Sequence, residues 1–293
     1  MRIKLECPYD FMDQNIISNL NLSNDPECLI VNPGVDQFLN KDYFSQFPNL
    51  KVVGTPSTGV NHMDINYLKQ NNIKYFCLLD NRKGLESITA SAEFTWLHIM
   101  NSLRKFSESL NYVGDWREPS NESFLRSNEL SGKKIGVIGF GRIGRKLKRY
   151  AEAFDMIFKF YDPYVEGGCK KINELYDSDI LSINCYLTSE TTNLVTDGFL
   201  DKFKKPLIVV NTSRGEVVNE NYIAKLIKNK DISYSCDVLC NEQDINKLKE
   251  NSPLLKMNLA YNNLIITPHV AGCTVESQEK ALKTILKLCM KLQ

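Results

Sequence analysis

At 293 residues the chain exceeds one average domain, and with 43% hydrophobic and 24% charged residues it has the make-up of a globular protein that buries a sizeable core. Thirty-six Lys and Arg balance 35 Asp and Glu for a net charge of +1, which gives nucleic acid or an anionic membrane no electrostatic hold. Nine Cys are scattered without a CxxC pair or a Cys/His cluster, against a disulfide framework or a metal site. The charged, Pro8-bearing start and the lack of an apolar run of about 20 residues complete the expectation of a cytoplasmic protein.

Short β-rich runs recur in chain order, at 28–31 (CLIV), 51–54, 74–77, 134–139, 158–161, 180–184, 207–210, 233–237 and 264–267. Helical spacings fall between them, as at 143–154 and 219–230. The two longest helical candidates, 87–107 and 274–292, flank the central block of strands. This alternation predicts βαβ units and parallel sheets. The polar stretch 112–133 has little periodicity and reads as a solvated loop or as an arm against another subunit, the loop being the simpler reading. His98 falls inside a helix, as a packing residue, and His62 in a turn.

The sharpest local motif is Gly139-Phe140-Gly141-Arg142-Ile143-Gly144. A strand runs into it, a helix leaves it, and Asp162 closes the next strand 23 positions after Gly139. Dinucleotide binding needs one glycine for a tight turn, one for backbone approach to a pyrophosphate and one for close helix packing. The helix N-terminus meets the phosphates and the carboxylate meets the ribose hydroxyls. The same carboxylate opposes an added ribose phosphate, which favours NAD over NADP.

Arg214, Asp237 with Glu242, and His269 lie at or just past the ends of successive predicted strands. The carboxyl edge of a parallel sheet is where ligands bind. Singly, each reads as a surface or solvated residue; His269, between Pro268 and Gly272, is the histidine a loop presents.

Together the segments LKVVGTPSTGVNHMD (50–64), ELSGKKIGVIGFGRIG (129–144), YDP (161–163), VNTSRGEVV (210–218), DVLCNE (237–242) and TPHVAG (267–272) resemble the D-isomer-specific 2-hydroxyacid dehydrogenases over nearly the whole chain. The resemblance implies Arg214, Glu242 and His269 as catalytic residues and Asp237 as the acceptor of the nicotinamide carboxamide. It also implies a substrate-carboxylate loop at Ser57, Thr58, Gly59 and Val60. The expected NAD-binding set is Gly139, Gly141, Arg142, Ile143, Gly144, Asp162, Thr191, Thr212 and Asp237. Ser57, Asn61 and Gln243 stand where the family often has Gly, Asp and Pro, and Asn184-Cys185-Tyr186-Leu187-Thr188 replaces its usual His-x-Pro-Leu-Thr.

The implied architecture is α/β: two doubly wound parallel-sheet domains with a cleft between them. A Rossmann-type NAD domain, residues 93–272, is inserted in a flavodoxin-like outer substrate domain, residues 1–92 and 273–293. Twenty-four residues follow His269, room for one helix and no appended regulatory domain. The implied activity interconverts a D-2-hydroxy acid and its 2-oxo acid with NAD, His269 being the acid and base. The resemblance also implies a homodimer with 105–130, including Trp116, as the contacting arm, and no nucleic-acid, membrane or metal partner. An NAD-sensing corepressor-like protein on the same scaffold is the alternative; a dinucleotide-fold hydrolase fits the motifs less well.

Overall fold

Ten strands form two all-parallel sheets in the computed structural model of the protein, which describes residues 1–32, 38–114 and 118–291, apart from the side chain of Asn121. The chain divides into two units. One comprises 1–90, 243–245 and the segment from 272 onward; the other comprises 91–242 and 246–271.

The first unit carries β1 (Ile3–Glu6), β2 (Cys28–Val31), β3 (Val52–Gly54) and β4 (Lys74–Phe76) in the order β1-β2-β3-β4. On the side of β1 away from β2, Ile3 bridges Leu22 in parallel, its N–H donating to Asn21 O and its carbonyl accepting from Ser23 N. Counting this one-residue strand, the winding is the flavodoxin-like 2-1-3-4-5. All four residues of β2 are buried, as a strand covered on both faces requires. The helix Val275–Met290 packs Ala281, Leu282, Ile285, Leu286 and Cys289 into one cluster with Ile3, Cys28, Ile30 and Val52. Gly54 allows this approach, because a Cβ there would collide with Ile285 and Cys289.

The second unit holds β5 (Lys134–Ile138), β6 (Ile157–Tyr161), β7 (Ile180–Ile183), β8 (Leu207–Asn211), β9 (Ile232–Cys236) and β10 (Leu264–Ile266), ordered β10-β9-β8-β7-β5-β6. The winding of the chain reverses at β5, with β6 on one side and β7 on the other, the switch point of a doubly wound nucleotide-binding sheet. Helix Arg142–Ala153 buries Leu147 and Ala151 against Ile135, Val137 and residues Trp96, Ile99 and Leu103 of helix Ala90–Arg104. Helix Glu220–Lys228 buries Ile223, Leu226 and Ile227 with Val209 and Tyr234.

Two local features depart from the sequence expectation. β1 is a strand although no strand was expected there, because Lys4 and Glu6 interrupt its apolar character and pair with each other at 2.6 Å. The stretch 112–133 is not all loop, since Pro119–Leu125 is helical with Pro119 in the first turn, where a missing N–H costs nothing. Trp116 lies outside the described residues. Among the described residues no helix is long and apolar enough to cross a membrane.

Candidate active site

The glycine motif sits where the winding of the second sheet reverses, and each glycine has its own part in it. Gly139 follows β5 with φ +92°, and a Cβ there would lie 2.7 Å from Cys185 N at the end of β7. That combination of left-handed backbone and close approach admits only glycine. Gly144 lies in the first turn of the following helix, where a Cβ would stand 2.5 Å from Gly139 O. Gly141 caps the same helix and has nothing within 4 Å of an added Cβ. The three therefore turn the chain, pack the helix and leave an open backbone surface at a helix N-terminus. Arg142 opens the helix, and Ile143 packs half-buried beside Leu147.

Asp162, just past β6, accepts a hydrogen bond from Phe140 N at 2.8 Å and one from Tyr164 N at 3.0 Å. The carboxylate is thus tied to the glycine loop while each oxygen keeps room for a second donor. Asn184, past β7, donates its amide to Ser182 Oγ at 3.0 Å, and its buried Oδ1 meets no partner among the described residues. An open glycine, an anchored carboxylate and an unmet acceptor at one switch point fit a dinucleotide.

Further along the same edge, the hydroxyl of buried Thr212 pairs with Thr95 Oγ1 at 2.6 Å. The Thr191 hydroxyl is used within its own loop, donating to Tyr186 O at 2.6 Å. Asn211, which ends β8, accepts from the backbone and hydroxyl of Ser213 and donates to Arg214 O, so it shapes the turn that carries Arg214. Gly215 is obligatory in that turn, since a Cβ would collide with the Leu239–Cys240 backbone.

His269 and Glu242 meet, with Nδ1 and Oε1 2.7 Å apart. His269 has φ +54°, a left-handed backbone rare for a side chain of that size. Asp237 holds the segment in that shape. Its Oδ1 accepts from Thr267 Oγ1 at 2.5 Å and Val270 N at 3.0 Å, and its Oδ2 from Ala271 N at 2.8 Å. Glu242 is in turn placed by Leu239 N at 3.2 Å, and its loop by Glu220, which accepts from Cys240 N at 2.7 Å and from the Ser252 hydroxyl at 2.7 Å. Burial of the imidazole pulls the His269 pKa down, and the positive Arg214 does likewise. The hydrogen bond and charge of Glu242, helped by Asp237, outweigh both, and the net direction is up from 6.5.

In the first unit Ser57 Oγ donates to Gly59 O at 3.0 Å and accepts from Gly59 N at 3.0 Å, closing a tight turn that includes Thr58. Buried His62 lies in the next turn, hydrogen-bonded to Thr55 Oγ1 at 3.1 Å. The sequence motifs give no role to Asn211, Glu220, Ser235 or Thr267; a polar residue at or just past a strand end, or at a helix start, is the signal that Asn211, Thr267 and Glu220 carry. Among the described residues no group of His, Cys, Asp and Glu is arranged to hold a metal.

The profile of the D-isomer specific 2-hydroxyacid dehydrogenase NAD-binding domain matches residues 96–271. The chain belongs to this family. It is 32% identical over 246 residues to glyoxylate reductase of Thermofilum pendens, covering 80% of this chain and 69% of that protein. To D-3-phosphoglycerate dehydrogenase of Archaeoglobus fulgidus it is 32% identical over 242 residues, covering 78% of this chain and 43% of that one. In fold it is similar to the D-lactate dehydrogenase of Aquifex aeolicus, solved with NAD and lactic acid, with a TM-score of 0.82 at 24% identity over 100% and 95% of the two chains. As a D-2-hydroxyacid dehydrogenase, the protein is an NAD-dependent oxidoreductase that interconverts a 2-hydroxy acid and its 2-oxo acid. None of these relatives favours the NAD-sensing alternative.

Proposed function

We propose that the protein reduces a small 2-oxo acid of the glyoxylate class with NADH, His269 carrying the proton. The observation that carries this reading is the 2.7 Å His269–Glu242 contact, set on a strained loop beside Asp237 and under the charge of Arg214. The substrate class is supported by the Thermofilum pendens relative, a glyoxylate reductase.

Bound NADH supplies the hydride. Nδ1–H of His269 donates to Glu242, so Nε2 is the atom that gives the proton to the carbonyl oxygen in reduction and takes it back in oxidation. Glu242 fixes the ring and favours its charged form. Arg214 holds the substrate carboxylate and polarises the carbonyl with its planar fork of donors. Asp237 has four lone-pair sites and three donors, which leaves one site on Oδ2 for the carboxamide N–H. Gly139, Gly141, Arg142, Ile143 and Gly144 take the pyrophosphate, and Asp162 takes the adenosine ribose. Thr191 and Thr212 line the same edge, and the turn Ser57–Gly59 receives the substrate carboxylate through backbone N–H groups.

In this reading 93–272 is the NAD-binding domain, and 1–92 with 273–293 is the substrate domain. The protein works as a cytoplasmic homodimer joined through 105–130. The pairing is supported by the exposure of Phe106, Leu110, Val113 and Phe124 in that segment, and the compartment by nine cysteines scattered without a disulfide framework.

The test is turnover with NADH and NADPH on glyoxylate, hydroxypyruvate, 3-phosphohydroxypyruvate and pyruvate, in wild type and His269→Ala. The expected result is NADH-dependent reduction of glyoxylate, lowered about 10²–10⁴-fold by the substitution with NADH affinity unchanged. Tight NADH binding without turnover on any acid would instead favour an NAD sensor.

A further inference from the structure

Beneath the His269 loop runs a buried polar chain that the reaction does not use directly. His98, on helix Ala90–Arg104, is 3% exposed, and Ser235 of β9 is fully buried. His98 Nδ1 lies 2.6 Å from Ser235 Oγ and Nε2 lies 3.1 Å from Thr267 Oγ1, which is 2.5 Å from Asp237 Oδ1.

Hydrogen counting gives the chain a direction. The Asp237 carboxylate at 2.5 Å and the Cys236 carbonyl at 3.4 Å both only accept, so the single Thr267 hydroxyl hydrogen goes to the nearer and charged one, Asp237 Oδ1. The Thr267 oxygen must then accept, and the donor it faces is His98 Nε2–H. In a neutral imidazole the other nitrogen is an acceptor, so the Ser235 hydroxyl donates to Nδ1. Every hydrogen is used once. A doubly protonated His98 would force Ser235 to accept and leave its own hydrogen to find a partner in a site closed to water. Burial pushes the His98 pKa below its ordinary value, although the nearby Asp237 charge acts the other way. The ring edge against Phe94, at 5.0 Å between centroids, keeps that side apolar.

We propose that His98, as the neutral tautomer protonated on Nε2, is a positioning residue that acts through Thr267 to decide which lone pairs of Asp237 are filled. By occupying the Thr267 oxygen it directs the Thr267 hydroxyl to Oδ1. Val270 N and Ala271 N take two more sites, which leaves one Oδ2 site that would hold the carboxamide N–H. This inference rests on the reading of Asp237 as the carboxamide acceptor.

The first test is long-range proton–nitrogen NMR of the ¹⁵N-labelled wild-type protein. Nε2 is expected protonated and Nδ1 bare at neutral pH. A proton on Nδ1 there would overturn the proposal without touching the assignment of Asp237. The second test is NADH affinity in His98→Leu, Thr267→Val, the double variant and His98→Gln. Each single loss should weaken NADH about fivefold to tenfold, and the double should be no weaker than Thr267→Val alone. The glutamine variant keeps a donor toward Thr267 and an acceptor toward Ser235, and should return affinity to within about twofold of wild type. Additive losses, or a glutamine variant no better than leucine, would overturn the relay. Asp237→Asn separates the two readings: unchanged NADH affinity there removes the carboxamide role and the relay's purpose, whereas a loss there with additive His98 and Thr267 effects removes the relay alone.

Discussion

His269 combines a carboxylate partner with a left-handed backbone, and the latter is not a low-energy choice for a surface loop. A non-glycine residue in that region stores on the order of 1–3 kcal/mol, which persists only where the surroundings over-determine it. Here Asp237 does so, by accepting from the backbone on the C-terminal side of His269. The pH behaviour follows from the Glu242 contact. In hydroxy-acid oxidation the neutral imidazole is the base, so the acidic limb of the rate profile tracks the His269 pKa. Glu242→Gln removes the main charge that raises this pKa and leaves burial and Arg214, which both lower it, opposed only by the smaller effect of Asp237. The acidic limb of kcat/KM for oxidation should therefore move to lower pH, and a limb that stays or rises would contradict the assignment. The strand-end positions of Arg214 and His269 were legible because the runs before them are apolar, and that of Asp237, with Glu242 in the loop beyond, because Tyr234 and Cys236 still mark a strand. His98 and Ser235 were not, since a hydrogen bond across 137 positions leaves no mark in local spacing.

At the scale of elements, the glycine loop separates binding from folding. Gly141 has open space and an ordinary negative φ, so Gly141→Ala should leave thermal stability within about 1 kcal/mol of wild type yet weaken NADH at least tenfold by blocking backbone approach. Gly144→Ala pushes a methyl group into Gly139 O, and should lose roughly 1–3 kcal/mol of stability as overpacking does. Thermal melts and NADH titrations of the two variants check the contrast; equal stability losses would refute it. Strands with apolar runs, such as β2 and β8, were readable from residue type alone. β1 was hidden by alternating charges, and the helix Pro119–Leu125 by a polar sequence in which only Phe124 and Leu125 are large and apolar.

At the scale of the whole molecule, the proposed association makes a measurable claim. Light scattering at micromolar concentration should give about twice the 33.5 kDa of one chain, in keeping with the prevalence of symmetric pairs. Replacing Phe106 and Phe124 together with Ser should move the mass to that of the single chain, and a wild-type mass of one chain would refute the arm. The helix Val275–Met290, laid on β1–β3, has a consequence for biosynthesis. Ribosomes deliver the chain from its N-terminus, so the first sheet emerges long before the residues that cover one of its faces. The second unit, by contrast, is contiguous enough to close while translation continues. Until the last helix arrives, Ile3, Cys28, Ile30 and Val52 remain without the side chains that shield them. Nascent chains halted before residue 275 therefore display an apolar sheet face for chaperones to hold.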